Sequence, residues 1–269
     1  MPFTPTHVIA ILPAAKCGKW LPFSALAIGS MMPDFPLFFP LGPDYRAMHS
    51  PTGLFTGCLP IGIGLFILFQ LVVKVPIVSL LPRFVQARLS SCRKPRLSFS
   101  AVFWIQVSAA VLLGALSHVV WDSFTHEGRW GTKVLPILNE PFAVFDRMVP
   151  GFKLFQFGST LVGLPFLTVL SAIWLLKNSP EPVEDDLYPF SFRAKAIGIL
   201  TFFAIPCAAT LQSFKTGNDH FYVDLFYAVT NSGFALSVSA IVFAFLFHIK
   251  TNGSYSAFKF SETVSTEPS

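Results

Sequence analysis

The sequence predicts an all-α protein: a polytopic transmembrane helix bundle with about five clear spans, preceded by an amino-terminal pair of short helices or a re-entrant hairpin. Three observations carry that prediction. Hydrophobic residues make up 53% of the 269 positions and charged residues only 12%, against about 25% charged in a soluble domain. Mean hydropathy is +0.61, and apolar runs recur at lengths that cross a bilayer. The basic residues gather between those runs, the pattern that sets orientation in a membrane.

The spans follow in order. Leu54 to Leu81 is the first, with Lys74 near one end where its ammonium can snorkel. Ser98 to Val120, Phe155 to Leu176, Ala194 to Leu211 and Leu225 to Ile249 are the others, and Pro206 is placed to kink the fourth. Ahead of them, Val8 to Ala15 and Leu21 to Met32 are each short for a crossing, and Lys16 and Lys19 interrupt them. We read two short helices, a hairpin partly in the membrane that other helices must cover. The alternative is one imperfect crossing from Val8 to Met32. Residues 1–249 then form a single membrane-embedded domain, and the Ser- and Thr-rich 250–269 a disordered tail.

Arg83, Arg88, Arg93, Lys94 and Arg96 lie between the first two spans; Lys177, Arg193 and Lys195 flank the loop between the third and fourth; Lys250 follows the fifth. These loops share one side, which the positive-inside rule makes cytoplasmic. Asp34, His49, His118, Asp122 and His220 then fall on the opposite side, joined by His7 if the amino terminus is a hairpin. The basic residues are spread out without an interleaved aromatic stripe, so the partner expected is the lipid bilayer and not a nucleic acid. Cys17, Cys58, Cys92 and Cys207 form no paired motif and read as unrelated thiols. The first residues carry no basic cluster, so the chain is expected to enter the membrane through its own spans.

Ionisable groups beside lipid are costly and mark a site. His118 and Asp122 are four apart on one helix face, with Thr125 on the same stripe. Ala110 and Gly114 continue that stripe, and small residues there let another helix approach. Imidazole and carboxylate both bind zinc or manganese. At the first span, Ser50 is placed to cap the helix and Pro51 suits its first position. His49 therefore precedes a helix start whose free amides attract anions, and Arg46 nearby can add charge-assisted bonds. Glu127 is the nearest spare carboxylate for a general base. Each has a plainer reading: His118 and Asp122 as a pair tying two helices, Asp34 as a turn residue between prolines, His49 as an interfacial histidine, His7 as an exposed terminal residue. His126 lies about 80° around an ideal helix from His118, a weaker ligand position. Asp219-His220 reads as a solvated turn and His248 as an interfacial residue.

Four blocks carry a resemblance: Met1-Pro2-Phe3-Thr4-Pro5-Thr6-His7; Ala27-Ile28-Gly29-Ser30-Met31-Met32-Pro33-Asp34-Phe35; His49-Ser50-Pro51-Thr52-Gly53-Leu54-Phe55; and Gly114-Ala115-Leu116-Ser117-His118-Val119-Val120-Trp121-Asp122-Ser123-Phe124-Thr125-His126. The chain resembles the bacterial domain-of-unknown-function family 4184 of integral membrane proteins. More distantly it is similar to the membrane-bound metal-dependent hydrolases of the YdjM type. That resemblance implies metal ligation by His7, Asp34, His49, His118 and Asp122. The chain departs from the wider pattern where Pro36 replaces a second acidic residue, and its nearest arginine to the His-Ser block is Arg46.

The expectation is thus an inner-membrane, multi-pass protein, a metal-dependent hydrolase acting on a lipid-linked or interfacial phosphoester. Zinc or manganese would be its cofactor, Glu127 its catalytic base, and Arg46, Ser50 and Thr125 its substrate contacts. The competing readings are a non-enzymatic membrane protein with a structural or metal-binding cluster and, behind both, a transporter. The polar residues gather at one face of the bilayer rather than through it, which disfavours transport.

Overall fold

The computed structural model describes residues 3–18, 20–39, 43–89, 94–183, 192–215 and 221–251. A 3₁₀ turn, Thr4–His7, leads into α1 (Val8–Ala15), and α2 (Phe23–Gly29) follows. The long helices are α3 (Pro51–Leu80), α4 (Ala101–Thr125), α6 (Gly151–Lys177), α7 (Phe192–Lys215) and α8 (Phe221–Lys250), with a short α5 (Trp130–Val134) between α4 and α6. Between α5 and α6, strands β1 (Pro141–Val144) and β2 (Arg147–Pro150) pair antiparallel, Val144 opposite Arg147. Phe145 at the tip takes a positive φ of 50°.

Four helices are long and apolar enough to cross a membrane: α3, α4, α6 and the Val223–Lys250 part of α8. They cover four of the five expected spans. The remaining one falls in α7, which carries the apolar stretch Gly198–Phe214 among the described residues. The amino-terminal stretch forms two short helices rather than one crossing. Lys16 to Gly18 leave the helical path and Pro22 stands at the N-cap of α2, where it cannot continue a preceding helix. The helix that carries the second expected span runs through Thr125, so His118 and Asp122 keep their helical spacing as expected.

The chain divides into two compact units. The first draws on Met1–Pro36, Pro40–Phe66 and Ser98–Trp174. Its organising contact is the crossing of α2 and α4. A Cβ on Gly114 would lie 2.3 Å from the Leu26 carbonyl oxygen, and one on Gly29 would lie 2.3 Å from the Val111 carbonyl oxygen. Backbone meets backbone there, which larger side chains would forbid. Below the crossing, Met32, Met48, Cys58 and Ala115 form a buried apolar cluster with Ile28, Phe35, Leu54, Ile61 and Leu65 around it.

The second unit draws on Leu37–Phe39, Ile67–Leu97 and Leu175–Ser269. Helices α7 and α8 pack side by side, joined by hydrogen bonds between Thr210 and Ser232 and from Asn231 to Ser213. Lys74 does not snorkel. It is buried, and its Nζ donates to Gln70 Oε1 at 3.1 Å and to the Lys94 carbonyl at 2.9 Å, so these oxygens solvate the charge in place of headgroups. The π turn Phe69–Val73 frees carbonyls from the helical ladder, and His248 Nε2 donates to that of Val72 at 3.0 Å. Cys17, Cys58 and Cys207 are free thiols. Cys92, Arg93, the Asp219-His220 pair and the tail 252–269 lie outside the described residues.

Candidate metal centre

The site belongs wholly to the first unit and is assembled from four stretches of chain. The α2–α4 crossing builds its floor. One turn beyond Gly114 on the same face of α4 stands His118, and the crossing carries the end of α2 to it: His118 Nδ1 lies 2.7 Å from the Ser30 carbonyl. A carbonyl only accepts, so Nδ1 carries the proton and Nε2 presents its lone pair. One turn further along α4 comes Asp122.

Asp34 follows from the 3₁₀ turn Met32–Asp34, started by Pro33. Its Oδ2 accepts from Thr4 Oγ1 at 2.7 Å, which ties the amino terminus to the site and leaves Oδ1 facing inward. His49 comes from the one-turn helix Tyr45–Met48, capped by Asp44, whose carboxylate accepts from the backbone N–H of Arg46 and Ala47. His49 Nδ1 lies 2.9 Å from the Tyr45 carbonyl, so again Nε2 is the free nitrogen. Ser50 caps α3 as expected, accepting from Gly53 N–H at 3.0 Å, with Pro51 in the first turn.

Four donor atoms converge. His118 Nε2 is 3.6 Å from Asp34 Oδ1 and 3.5 Å from Asp122 Oδ2, and His49 Nε2 is 3.8 Å from Asp34 Oδ1 and 3.5 Å from Asp122 Oδ2. All four residues are buried, and one ligand atom from each lies within 4.8 Å of the others. These same four atoms have no hydrogen-bond partner, while the opposite atoms of His118, His49 and Asp34 are bonded outward at short range and Asp122 Oδ1 faces Thr125 Oγ1 at 3.4 Å. Unpaired buried polar atoms cost about 1–3 kcal/mol each or more. A tetrahedron with bonds of about 2.0–2.1 Å has edges of roughly 3.3–3.4 Å. The four His–Asp separations lie just above that. The cluster could hold a metal ion, and its donors are of the type that zinc and manganese accept.

His7 comes to the same place from the amino-terminal 3₁₀ turn. Its ring stacks on that of His118, centroids 3.7 Å apart, and its Nε2 lies 3.6 Å from Asp122 Oδ1 rather than Oδ2. It therefore stands beside the four-atom group, with both ring nitrogens buried and unpaired. Thr125 is buried behind Asp122 and also contacts His126 Nδ1 at 3.0 Å. The backbone leaves the helix at His126, at φ −129° and ψ 139°. Its ring folds back so that Nδ1 reaches the Asp122 carbonyl at 3.1 Å and Oδ2 at 3.6 Å. The 80° separation holds only for a continuous helix, and His126 contacts Asp122 without joining the four-atom group. Burial holds the His126 imidazole below its ordinary pKa.

Arg46 and Glu127 are exposed, and neither forms a hydrogen bond or ion pair with the cluster among the described residues. Sequence reasoning missed Thr4, the Ser30 carbonyl and Tyr45. Tyr45 packs its ring on His49 with centroids 4.1 Å apart. Burial, then the nearby Asp34 and Asp122 carboxylates, push its phenol pKa up. The one legible signal was its position four residues before His49.

The chain belongs to the family described as Domain of unknown function (DUF4184), which matches residues 1–249. No curated protein and no solved structure matches it.

Proposed function

We propose that this DUF4184 protein is a metal-dependent hydrolase acting on a lipid-linked or interfacial phosphoester. The observation that carries the reading is the convergence of Asp34 Oδ1, His49 Nε2, His118 Nε2 and Asp122 Oδ2, all buried and all without hydrogen bonds. Two carboxylates match the charge of a divalent cation, which favours such an ion over a proton network. An ion held there supplies Lewis-acid polarisation of an ester oxygen and a water nucleophile at neutral pH. The chain's own part is to fix the imidazole tautomers through Ser30 and Tyr45, to orient Asp34 through Thr4, and to keep bulk water away. Glu127 is the proposed base and Arg46, Ser50 and Thr125 the proposed flanking contacts; Ser50 also caps α3 and Thr125 lies against Asp122 Oδ1.

Zinc or manganese is the proposed ion, since imidazole and carboxylate donors serve both. The lipid bilayer is the proposed partner, on the strength of the four apolar helices. The bacterial inner membrane is the proposed location, with the site on the non-cytoplasmic side. The basic residues Arg83, Arg88, Lys94 and Arg96 between α3 and α4 support that orientation.

A second reading is favoured by ligand number. Four protein donors fill a tetrahedral zinc site, and closed sites are structural, whereas catalytic ones keep a position open. Turnover separates the two. Detergent-purified wild-type protein, loaded with metal, should release phosphate or headgroup from a lipid phosphoester, and a folded His118→Ala variant should fall to background. Equal turnover by the two proteins would remove the hydrolase reading. Full metal occupancy with no turnover would favour the closed structural site.

A further inference from the structure

The four donor atoms are enclosed, but one side of the cluster carries two half-buried polar side chains that the proposed chemistry has not used, the Tyr45 phenol and the Arg129 guanidinium. Their placement follows from the chain path after α4. Gly128 turns the backbone with φ of 73°. Gly131 then packs directly on the end of α4, where a Cβ would lie 2.6 Å from the Ser123 carbonyl oxygen. The Trp130 ring meets that of Phe124 edge-on, centroids 5.2 Å apart. These contacts fold residues 129–131 back against the helical turn that carries Asp122. Arg129 is the N-cap residue of α5, and its carbonyl accepts from Thr132 Oγ1 at 2.8 Å, which fixes its backbone.

From there the guanidinium lies beside the Tyr45 phenol and near His126. Tyr45 in turn covers His49. Arginine and tyrosine thus flank the His49 and His126 side of the cluster. No carboxylate pairs with Arg129 among the described residues. An arginine beside a site with buried carboxylates, yet bonded to neither, is free to bind a ligand.

Charge decides what that ligand is. With neutral imidazoles, Asp34 and Asp122 balance a divalent cation, and Arg129 then leaves the site with an excess positive charge. We propose that Arg129, with Tyr45 beside it, forms the anion-recognition rim of this site, and that the group it takes is the phosphoryl of an anionic ester. A phosphoryl group offers two oxygens to the planar guanidinium fork, a bidentate fit that arginine makes and lysine does not. The proposal rests on the metal-site reading above and narrows its substrate class.

The test uses the full chain in detergent, with metal content measured by elemental analysis before any ligand is added. Inorganic phosphate is then titrated calorimetrically into zinc-loaded wild type, Arg129→Ala, Arg129→Lys and Tyr45→Phe. We expect wild-type metal content in all four, with phosphate binding at least about tenfold weaker in Arg129→Ala, intermediate in Arg129→Lys and a few-fold weaker in Tyr45→Phe. Should Arg129→Ala fail to fold, Arg129→Gln takes its place. A parallel arm replaces free phosphate with mixed micelles containing phosphatidic acid. Tighter binding in that arm names a lipid headgroup as the source, the reverse names a soluble phosphoester, and either supports the rim if loss of Arg129 weakens it. Phosphate affinity within twofold of wild type in fully metallated Arg129→Ala, or no phosphate binding by metallated wild type, would overturn the rim and leave the metal site standing. Wild type that takes up no metal would overturn both.

Discussion

His118 Nδ1 donates to the Ser30 carbonyl at 2.7 Å across 88 positions of sequence. That bond joins α4 to the end of α2 and aims Nε2 at Asp34 and Asp122. It forms only because Gly29 and Gly114 let the two backbones touch one turn away. The crossing and the site are therefore one structural unit, and disturbing either disturbs the other.

Substituting Gly114 with Leu should show this. The added side chain has to enter space held by the Leu26 carbonyl and the Ser30 N–H, so the helices must separate. Overpacking of this kind costs about 1–3 kcal/mol or more. We expect a lower thermal midpoint in detergent and loss of bound metal together. A variant of reduced stability that keeps its full metal complement would show that the crossing does not position the site.

Ligand substitutions should sort by distance from the four-atom group. His118→Ala, His49→Ala, Asp34→Asn and Asp122→Asn should each lose the metal under conditions where wild type retains about one ion per chain, read by elemental analysis. Glu127→Gln should keep the ion, because that carboxylate is exposed and apart from the cluster. Loss of activity in metallated Glu127→Gln would support its role as base; full activity would exclude it.

Thr4→Val removes the bond that orients Asp34 without removing a donor atom. Partners behind a ligand typically contribute about 10–100-fold to metal affinity. We expect a shift of that size in competition with a chromophoric chelator, with an unchanged far-ultraviolet spectrum. An affinity equal to wild type would mean that Asp34 is held by other means.

Chelation should destabilise the protein. An ion that binds only the folded state contributes about 2.7 kcal/mol at a hundred times its dissociation constant. Treatment with a chelator should lower the thermal midpoint and added zinc or manganese should restore it, whereas Asp122→Asn should respond to neither. Identical midpoints for chelated and metal-loaded wild type would argue for a hydrogen-bonded cluster without an ion.

Hydropathy and spacing by themselves determine much of this protein. Apolar runs longer than a bilayer is thick have to become helices, because lipid offers backbone groups no other partner; α3, α4, α6 and most of α8 follow from that alone. The spacing of His118 and Asp122 fixed their common face, and Ser50-Pro51 marked a helix start. Other features depended on contacts far apart in sequence. Lys74 turned inward because Gln70 and the Lys94 carbonyl receive it, and no count of flanking charges reports that. His126 rejoined Asp122 because the helix stops there, and Arg129 came back to the same turn because Gly131 fits against Ser123. Residue type and periodicity are local, so they name the donors. Which lone pairs face one another, and which are tied away by Thr4, Ser30 and Tyr45, is set by helix crossing and loop closure, and those exist only in the folded chain.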